Sequence, residues 1–282
     1  MNAYVNVGII KDAGSLGITG ATFDTQLLRI AVESSRMIDR YCDRYFYIWE
    51  GIKYYDGAAT RLILDDDVQS ITTLAVDNDA SGGYSDTYDL VSTTPDAFLY
   101  PLNGTPKTRL EANPAGDYGH FGAGIRKAVK ITGVFGYGAD YPASYFHTAS
   151  TVIGADFTST AITIDVSTGT GLSAGQTLRI NSEQVYIYAA LSGSTASITR
   201  AINGTTAAAG TTGTAISIYD YPEAIVQASL IQTVRSWKRR ESGFVNTIIN
   251  TDMGNIQVFK GLDPDVKEIV NQYRRLRIPR YI

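Results

Sequence analysis

Cysteine is almost missing from this 282-residue chain; Cys42 stands alone, so an internal disulfide and a multi-cysteine zinc site are both excluded. Histidine is nearly as scarce, and with only His120 and His147 a His-rich metal centre is not expected. Long hydrophobic runs are also lacking. No stretch approaches the roughly 18 apolar residues of a membrane span, and the N-terminus shows no basic segment followed by an apolar run. The expectation is a chain made in a cytoplasm that stays in solution and meets no membrane.

Catalytic signatures are absent too. There is no G-x-x-x-x-G-K-[ST] loop, G-x-S-x-G elbow, H-E-x-x-H or Cys-x-x-Cys. The Gly-rich runs 119–124 and 133–138 do not fit G-x-G-x-x-G and read as turns. His120 and His147 lie in loop-like contexts without a nearby nucleophile. The triplet Asp65-Asp66-Asp67 reads as a solvated turn, because adjacent loop residues cannot all face one cation. The sequence therefore assigns no catalytic residue, no cofactor and no metal ligand. A carboxylate pair assembled in space, as in a glycosidase, remains open.

The net charge of −4 conceals an asymmetry: residues 1–221 hold 14 basic and 22 acidic side chains, residues 222–282 hold 10 and 6. The two parts are suited to different surfaces. The acidic bulk argues against a sequence-specific DNA reader, since phosphate contacts dominate such affinity.

The clearest helix is predicted over Pro222–Glu241. Pro222 suits the first turn, and Val226, Leu230, Val234 and Trp237 share a flank adjoined by Ala224, Ala228 and Ile231. So wide a stripe calls for two packing partners. The tripeptide Asp-Tyr-Pro that launches this helix, 220–222, also occurs at 140–142, after the strand-like run Ala128–Phe135. The repeat brackets an insertion, 142–220, rich in Thr, Ser, Ala, Gly and Ile and alternating at 161–166, 177–180, 185–188 and 196–199, which reads as a small all-β module. Asn103-Gly104-Thr105 and Asn203-Gly204-Thr205 match the glycosylation sequon but read as Asn-Gly turns.

Residues 1–21 are Gly-rich, nearly uncharged and aperiodic, and predict an extended arm. A helix follows from the cap Thr22 to about Tyr45, with a core stripe through Leu27, Ile30, Ile38 and Tyr41 and an opposite face of paired charges including Arg36 and Asp39. Cys42, at the stripe's edge, reads as a small apolar filler. Ile52–Tyr55, Asp56-Gly57 and Thr60–Leu64 predict a hairpin, and further short strands are expected up to Phe135. A last helix starts at the cap Asp263 with Pro264 first, then ends in a basic tail interleaved with apolar residues.

The segments Tyr41–Phe46, Tyr54–Gly57 and Leu62–Asp66, followed by Ile131–Tyr137 and Tyr221–Ala228, are similar to the head-tail connector, or adaptor, proteins of tailed bacteriophages. Two further segments, Gly175–Gln184 and Thr199–Ala207, resemble a β-module found in phage structural proteins. The resemblance implies a structural virion protein at the head-tail interface, assembled in the host cytoplasm. It implies a ring, usually dodecameric, that binds the portal protein on one side and a tail or head-completion protein on the other, and lets genomic DNA pass non-specifically in packaging and ejection. In that family the C-terminal region commonly engages the portal, which points to Tyr273, Arg274, Arg275, Arg277, Arg280, Tyr281 and Ile282 as portal-binding residues. The alternative is a phage-associated carbohydrate-binding or glycan-cleaving protein.

The expected fold is α+β: a small helical bundle core with β-hairpins plus an inserted all-β domain. Its parts are an arm (1–21), a helical connector core (22–141 and 221–272), the inserted domain (142–220) and the basic tail (273–282). The expected function is non-enzymatic.

Overall fold

The computed structural model describes residues 2–12, 16–138, 145–241, 247–250, 254–257 and 261–275. They form two compact units, Tyr45–Ser144 and the remainder, Met1–Arg44 with Tyr145–Ile282.

The smaller unit is a sheet throughout. Its strands are β1 (Trp49–Tyr55), β2 (Arg61–Val76), β3 (Asp86–Tyr88), β4 (Ala97–Tyr100), β5 (Lys107–Ala112) and β6 (Val129–Phe135). All pair antiparallel in the order β1-β6-β2-β5-β4, with β3 also on β2. Alternation in β6 buries Val129, Ile131, Gly133 and Phe135 and leaves the residues between them half-exposed. Val129, Ile131 and Phe135 join Leu62, Leu64, Leu74 and Leu110 in one core.

The larger unit holds a second antiparallel sheet, built from β7 (Phe146–Val152), β8 (Thr163–Asp165), β9 (Thr177–Ile180), β10 (Glu183–Ile187), β11 (Thr195–Thr199) and β12 (Ala215–Tyr219), in the order β7-β12-β9-β10-β11-β8. Among the described residues four helices accompany it: α1 (Val7–Asp12), α2 (Asp24–Cys42), α3 (Glu223–Glu241) and α4 (Pro264–Asn271). Strands β13 (Thr247–Asn250) and β14 (Gly254–Gln257) form a separate two-stranded ribbon.

The expected helical bundle core with β-hairpins is therefore corrected: two six-stranded antiparallel sheets dominate, and the smaller unit has no helix among its described residues. Helices announce themselves through a long 3.6-residue period, whereas these strands are short and take their partners from far along the chain. The hairpin expected at Asp56-Gly57 illustrates the difficulty. Strand β6 lies between β1 and β2, pairing Tyr54 with Lys130 on one side and Leu74 with Ile131 on the other. Gly57 is needed for close approach instead, since a Cβ there would sit 1.7 Å from the carbonyl oxygen of Gly122. The Asp65-Asp66-Asp67 triplet is likewise strand, within β2, with Asp67 buried.

Helices α2 and α3 are antiparallel neighbours: Phe23, just before α2, meets Trp237 near the end of α3 with ring centroids 5.5 Å apart, and the Ser35 and Ser229 hydroxyls lie 3.5 Å apart. The expected apolar stripe of α3 is shifted. Its buried line runs Ile225, Ala228, Ser229, Gln232, Thr233 and Trp237, while Val226 and Leu230 are half-buried. Small and hydrogen-bonding side chains suit the contacts with α2 and α4, and Gln232 Oε1 accepts the Asp263 amide at 3.1 Å. The start of α4 follows the expectation: Asp263 caps it, accepting from the Asp265 amide at 3.0 Å, with Pro264 in the first turn.

Residues 2–12 are not an extended arm. Asn2, Ala3, Tyr4, Val5, Val7 and Ile10 are each at most 1% exposed, and Val7 to Asp12 coil into α1. The segment is packed against both helix and sheet: the Tyr4 amide donates to Ser35 Oγ at 2.9 Å, the Val7 amide to the Ala174 carbonyl at 2.9 Å, and Thr177 Oγ1 to Asn2 Oδ1 at 3.0 Å. Five apolar residues at Ala3, Tyr4, Val5, Val7 and Ile10 carry too little periodicity to declare this in advance.

Candidate functional site

The tail's point of departure is fixed by α2 and α4. The Arg275 amide donates to the Cys42 carbonyl at 2.8 Å, satisfying one of the carbonyls that the end of α2 leaves unpaired, and the Arg274 guanidinium lies 5.7 Å from the Tyr41 ring centre. Arg274 is exposed, and Tyr273 and Arg275 are half-buried. Of the residues expected to bind a portal, these three share one short segment. Arg277, Arg280, Tyr281 and Ile282 lie outside the described residues.

Cys42 is a buried filler at the base of this segment. Its Sγ donates to the Val270 carbonyl at 3.7 Å, and burial, reinforced by Asp39 and opposed by Arg44 and Arg274, pushes the thiol up to about 12. Little thiolate exists at neutral pH, so nucleophilic or metal-binding chemistry has no foothold there.

His147 meets Asp220 at 2.7 Å through Nδ1, on a groove of about 510 Å³ whose other walls include Asn6, Ile9, Gln176, Glu223 and Val226. Both members are exposed, and no serine or cysteine lines the groove. The geometry is an exposed histidine–aspartate contact beside the start of α3, and the threonine that lines the groove, Thr177, donates its hydroxyl to Asn2 Oδ1. Among the described residues no group of three or more His, Cys, Asp or Glu side chains is arranged to hold a metal ion, and no helix is long and apolar enough to cross a membrane. Within the triplet, Asp66 pairs with Lys53 at 3.1 Å and accepts from the Tyr55 hydroxyl at 3.3 Å.

The two module segments build a buried latch. Glu183 Oε1 accepts from Arg200 Nε at 2.7 Å and from the Ala201 amide at 2.9 Å, while Oε2 accepts from the Ala208 amide at 3.0 Å. Arg200 also donates to the Thr158 carbonyl at 2.9 Å and covers the Phe157 ring at 5.0 Å. Burial pushes the Glu183 carboxyl upward, but the hydrogen bonds from Arg200, Ala208 and Ala201 outweigh it and hold the group below its ordinary value. Gln184 and Thr205 continue the arrangement, for the Gln184 amide donates to Thr205 Oγ1 at 3.0 Å.

One cluster escaped the sequence reading. Asp39, placed by its spacing on the face opposite the core stripe, is 6% exposed beneath the N-terminal segment, where its carboxyl accepts from the Tyr4 hydroxyl. Arg36 reaches it at 3.1 Å and also donates to the Asn2 carbonyl at 3.0 Å. The only advance signal was two serines, Ser34 and Ser35, interrupting the charged face. Burial raises Asp39 to about 7 against the opposing effects of Arg36 and Tyr4.

The sign follows from linkage: a carboxyl whose folded value is raised binds a proton that the unfolded chain has released. Its stabilisation is whole below about pH 4 and is lost as pH rises to about 7, at no more than about 1.4 kcal/mol per pH unit. Asp39→Asn is expected to flatten this stretch of the stability-pH profile, measured by urea unfolding at successive pH values. An unchanged slope would reassign it to other groups.

No family model, curated protein or solved structure matches the chain.

Proposed function

We propose that the protein is a structural component of a tailed-phage virion, a head-tail connector that acts by assembling into a ring, with about twelve copies as the resemblance implies. The observation that carries the reading is where the resembling segments lie: Tyr54–Gly57, Leu62–Asp66 and Ile131–Tyr137 fall on or directly beyond the adjacent strands β1, β6 and β2. They act as one structural unit, with Phe46 and Tyr137 in edge-to-face contact at 5.5 Å and the Tyr137 amide donating to the Tyr45 carbonyl at 2.7 Å. Strands at the ends of both sheets offer backbone edges for head-to-tail contacts of the kind that close into rings.

In this reading the tail meets the portal protein, a tail or head-completion protein lies on the opposite side, and the genome passes through without sequence readout. Density in assembled virions tests it: a ring of this chain at the portal's base is expected, and another protein in that position overturns the proposal.

The tail has its own test. Arg277 and Arg280 can pair bidentately with carboxylates while Tyr281 and Ile282 occupy an apolar groove. Deleting Arg277–Ile282 should weaken binding to isolated, DNA-free portal rings by at least about tenfold, the equivalent of one charge-assisted contact of roughly 1.5–3 kcal/mol. Unchanged affinity would refute the docking role while leaving the ring intact as an idea.

A further inference from the structure

The chain has two Asn-Gly-Thr sequences, and the structure gives them different surroundings. Asn103 is exposed in the turn between β4 and β5, and none of the described residues hydrogen-bonds its side chain or the Gly104 amide. Asn203 is held on every side. Its Nδ2 donates to Gln184 Oε1 at 2.8 Å and to Asn2 Oδ1 at 3.2 Å, and its Oδ1 accepts from Asn2 Nδ2 at 2.8 Å. Its backbone is in the left-handed region at φ 56°, inside the short 3₁₀ turn 202–204.

We infer that Asn103 is a site of spontaneous, non-enzymatic deamidation and that Asn203 is protected. The Gly104 backbone nitrogen, once it has lost its proton, attacks Cγ of Asn103. The Cγ–Nδ2 bond breaks, ammonia leaves, and a five-membered succinimide closes. One water then opens either carbonyl, leaving aspartate or isoaspartate. No oxidant or enzyme is needed. Glycine favours the attack because it has no Cβ to crowd the nitrogen and because its backbone reaches the required conformations at little cost. The same step at Asn203 requires its three amide hydrogen bonds to open first, so its rate is scaled down by the opening equilibrium.

The consequence is a new negative charge on an exposed loop next to Lys107, whose ammonium donates to the carbonyls of Pro101 at 2.7 Å and Leu102 at 3.0 Å. The buried amide cluster that ties residue 2 to the second sheet stays intact. A population of the protein thus divides with age into charge variants that differ at this one loop.

The test is incubation of the full chain at mildly alkaline pH, followed by peptide mass spectrometry with isoaspartate assignment. Asn103 should convert, with Asn203 slower by about a hundredfold or more, and the difference should vanish in denaturant. Gly104→Ala should slow conversion at 103. Asn2→Ala, which removes two of the three bonds to the Asn203 amide, should raise the rate at 203 and leave 103 unchanged. Similar native rates at the two sites, or an Asn103 that stays intact while denatured chain reacts, would overturn the inference.

Discussion

Excising residues 142–221 and joining Tyr141 to Pro222 should leave a chain whose helices no longer unfold cooperatively. The second sheet has its own core, with Val185, Ile187, Ile198 and Ile216 at its centre, but it also supplies Ala174, Tyr186 and Ile202 to a cluster with Val5, Leu27 and Trp237. Without the sheet, Tyr4, Val5, Val7 and Ile10 lose much of the surface that buries them. At about 1.5–3 kcal/mol for each large apolar side chain, that loss is comparable to the whole stability of a typical domain, about 5–15 kcal/mol. The two tryptophans provide separate reporters, since Trp237 belongs to this cluster and Trp49 packs against the core of the other unit. In the excised chain Trp237 emission should be solvent-exposed before any denaturant is added, while Trp49 keeps its transition. A cooperative Trp237 transition at unchanged urea midpoint would show the helices to be self-sufficient.

Glu183→Ala should destabilise the larger unit by about 3–5 kcal/mol, the usual effect of removing one partner from a buried ion pair. The side chains of Glu183 and Arg200 are 2% and 10% exposed, so the orphaned guanidinium has little water to turn to, and the Ala201 and Ala208 amides lose their acceptor as well. Urea unfolding followed at Trp237 in a Trp49→Phe background measures the effect. Adding Arg200→Met should recover part of the loss, because it removes the uncompensated charge and keeps the bulk that lies over Phe157. A double variant no better than Glu183→Ala would place the cost in the backbone amides instead of the guanidinium.

Legibility differed between the helices and the sheets. The start of helix α4 could be read to the residue because Asp263 and Pro264 act locally, through a side-chain cap and a preset φ; its end, at Asn271, falls short of the stripe read through Tyr273 and Leu276. Helix α2 was read one residue early, with its cap at Thr22 instead of Phe23, and about three late: no side chain caps it at Phe23, and Asp43 ends it by turning left-handed at φ 54°. Four of the six strands of the second sheet, β8 to β11, were located closely, since each alternates within a few residues, whereas β7 and β12 were not read. Strand β2 was broken in two on account of its three aspartates, although it runs unbroken for 16 residues. Charge in a sequence suggests a turn, but on a strand it can point to solvent or, like Asp66, to a lysine on a strand two places away.

By itself the sequence determined much of where local order begins: the cap of α4, the proline-led helices and four of the alternating module segments. Which strands pair was decided only in three dimensions. Strand β6 enters between β1 and β2 from more than fifty residues away because its alternate positions 129, 131 and 135 complete a core that neither neighbour could bury alone. The N-terminal segment was settled in the same way. Its residues have no strong propensity, and they are ordered by what surrounds them: Asp39, Arg36 and Ser35 on one side, Thr177 and Asn203 on the other. Burial of that kind is a property of the neighbours, and a linear reading contains each neighbour without the contact.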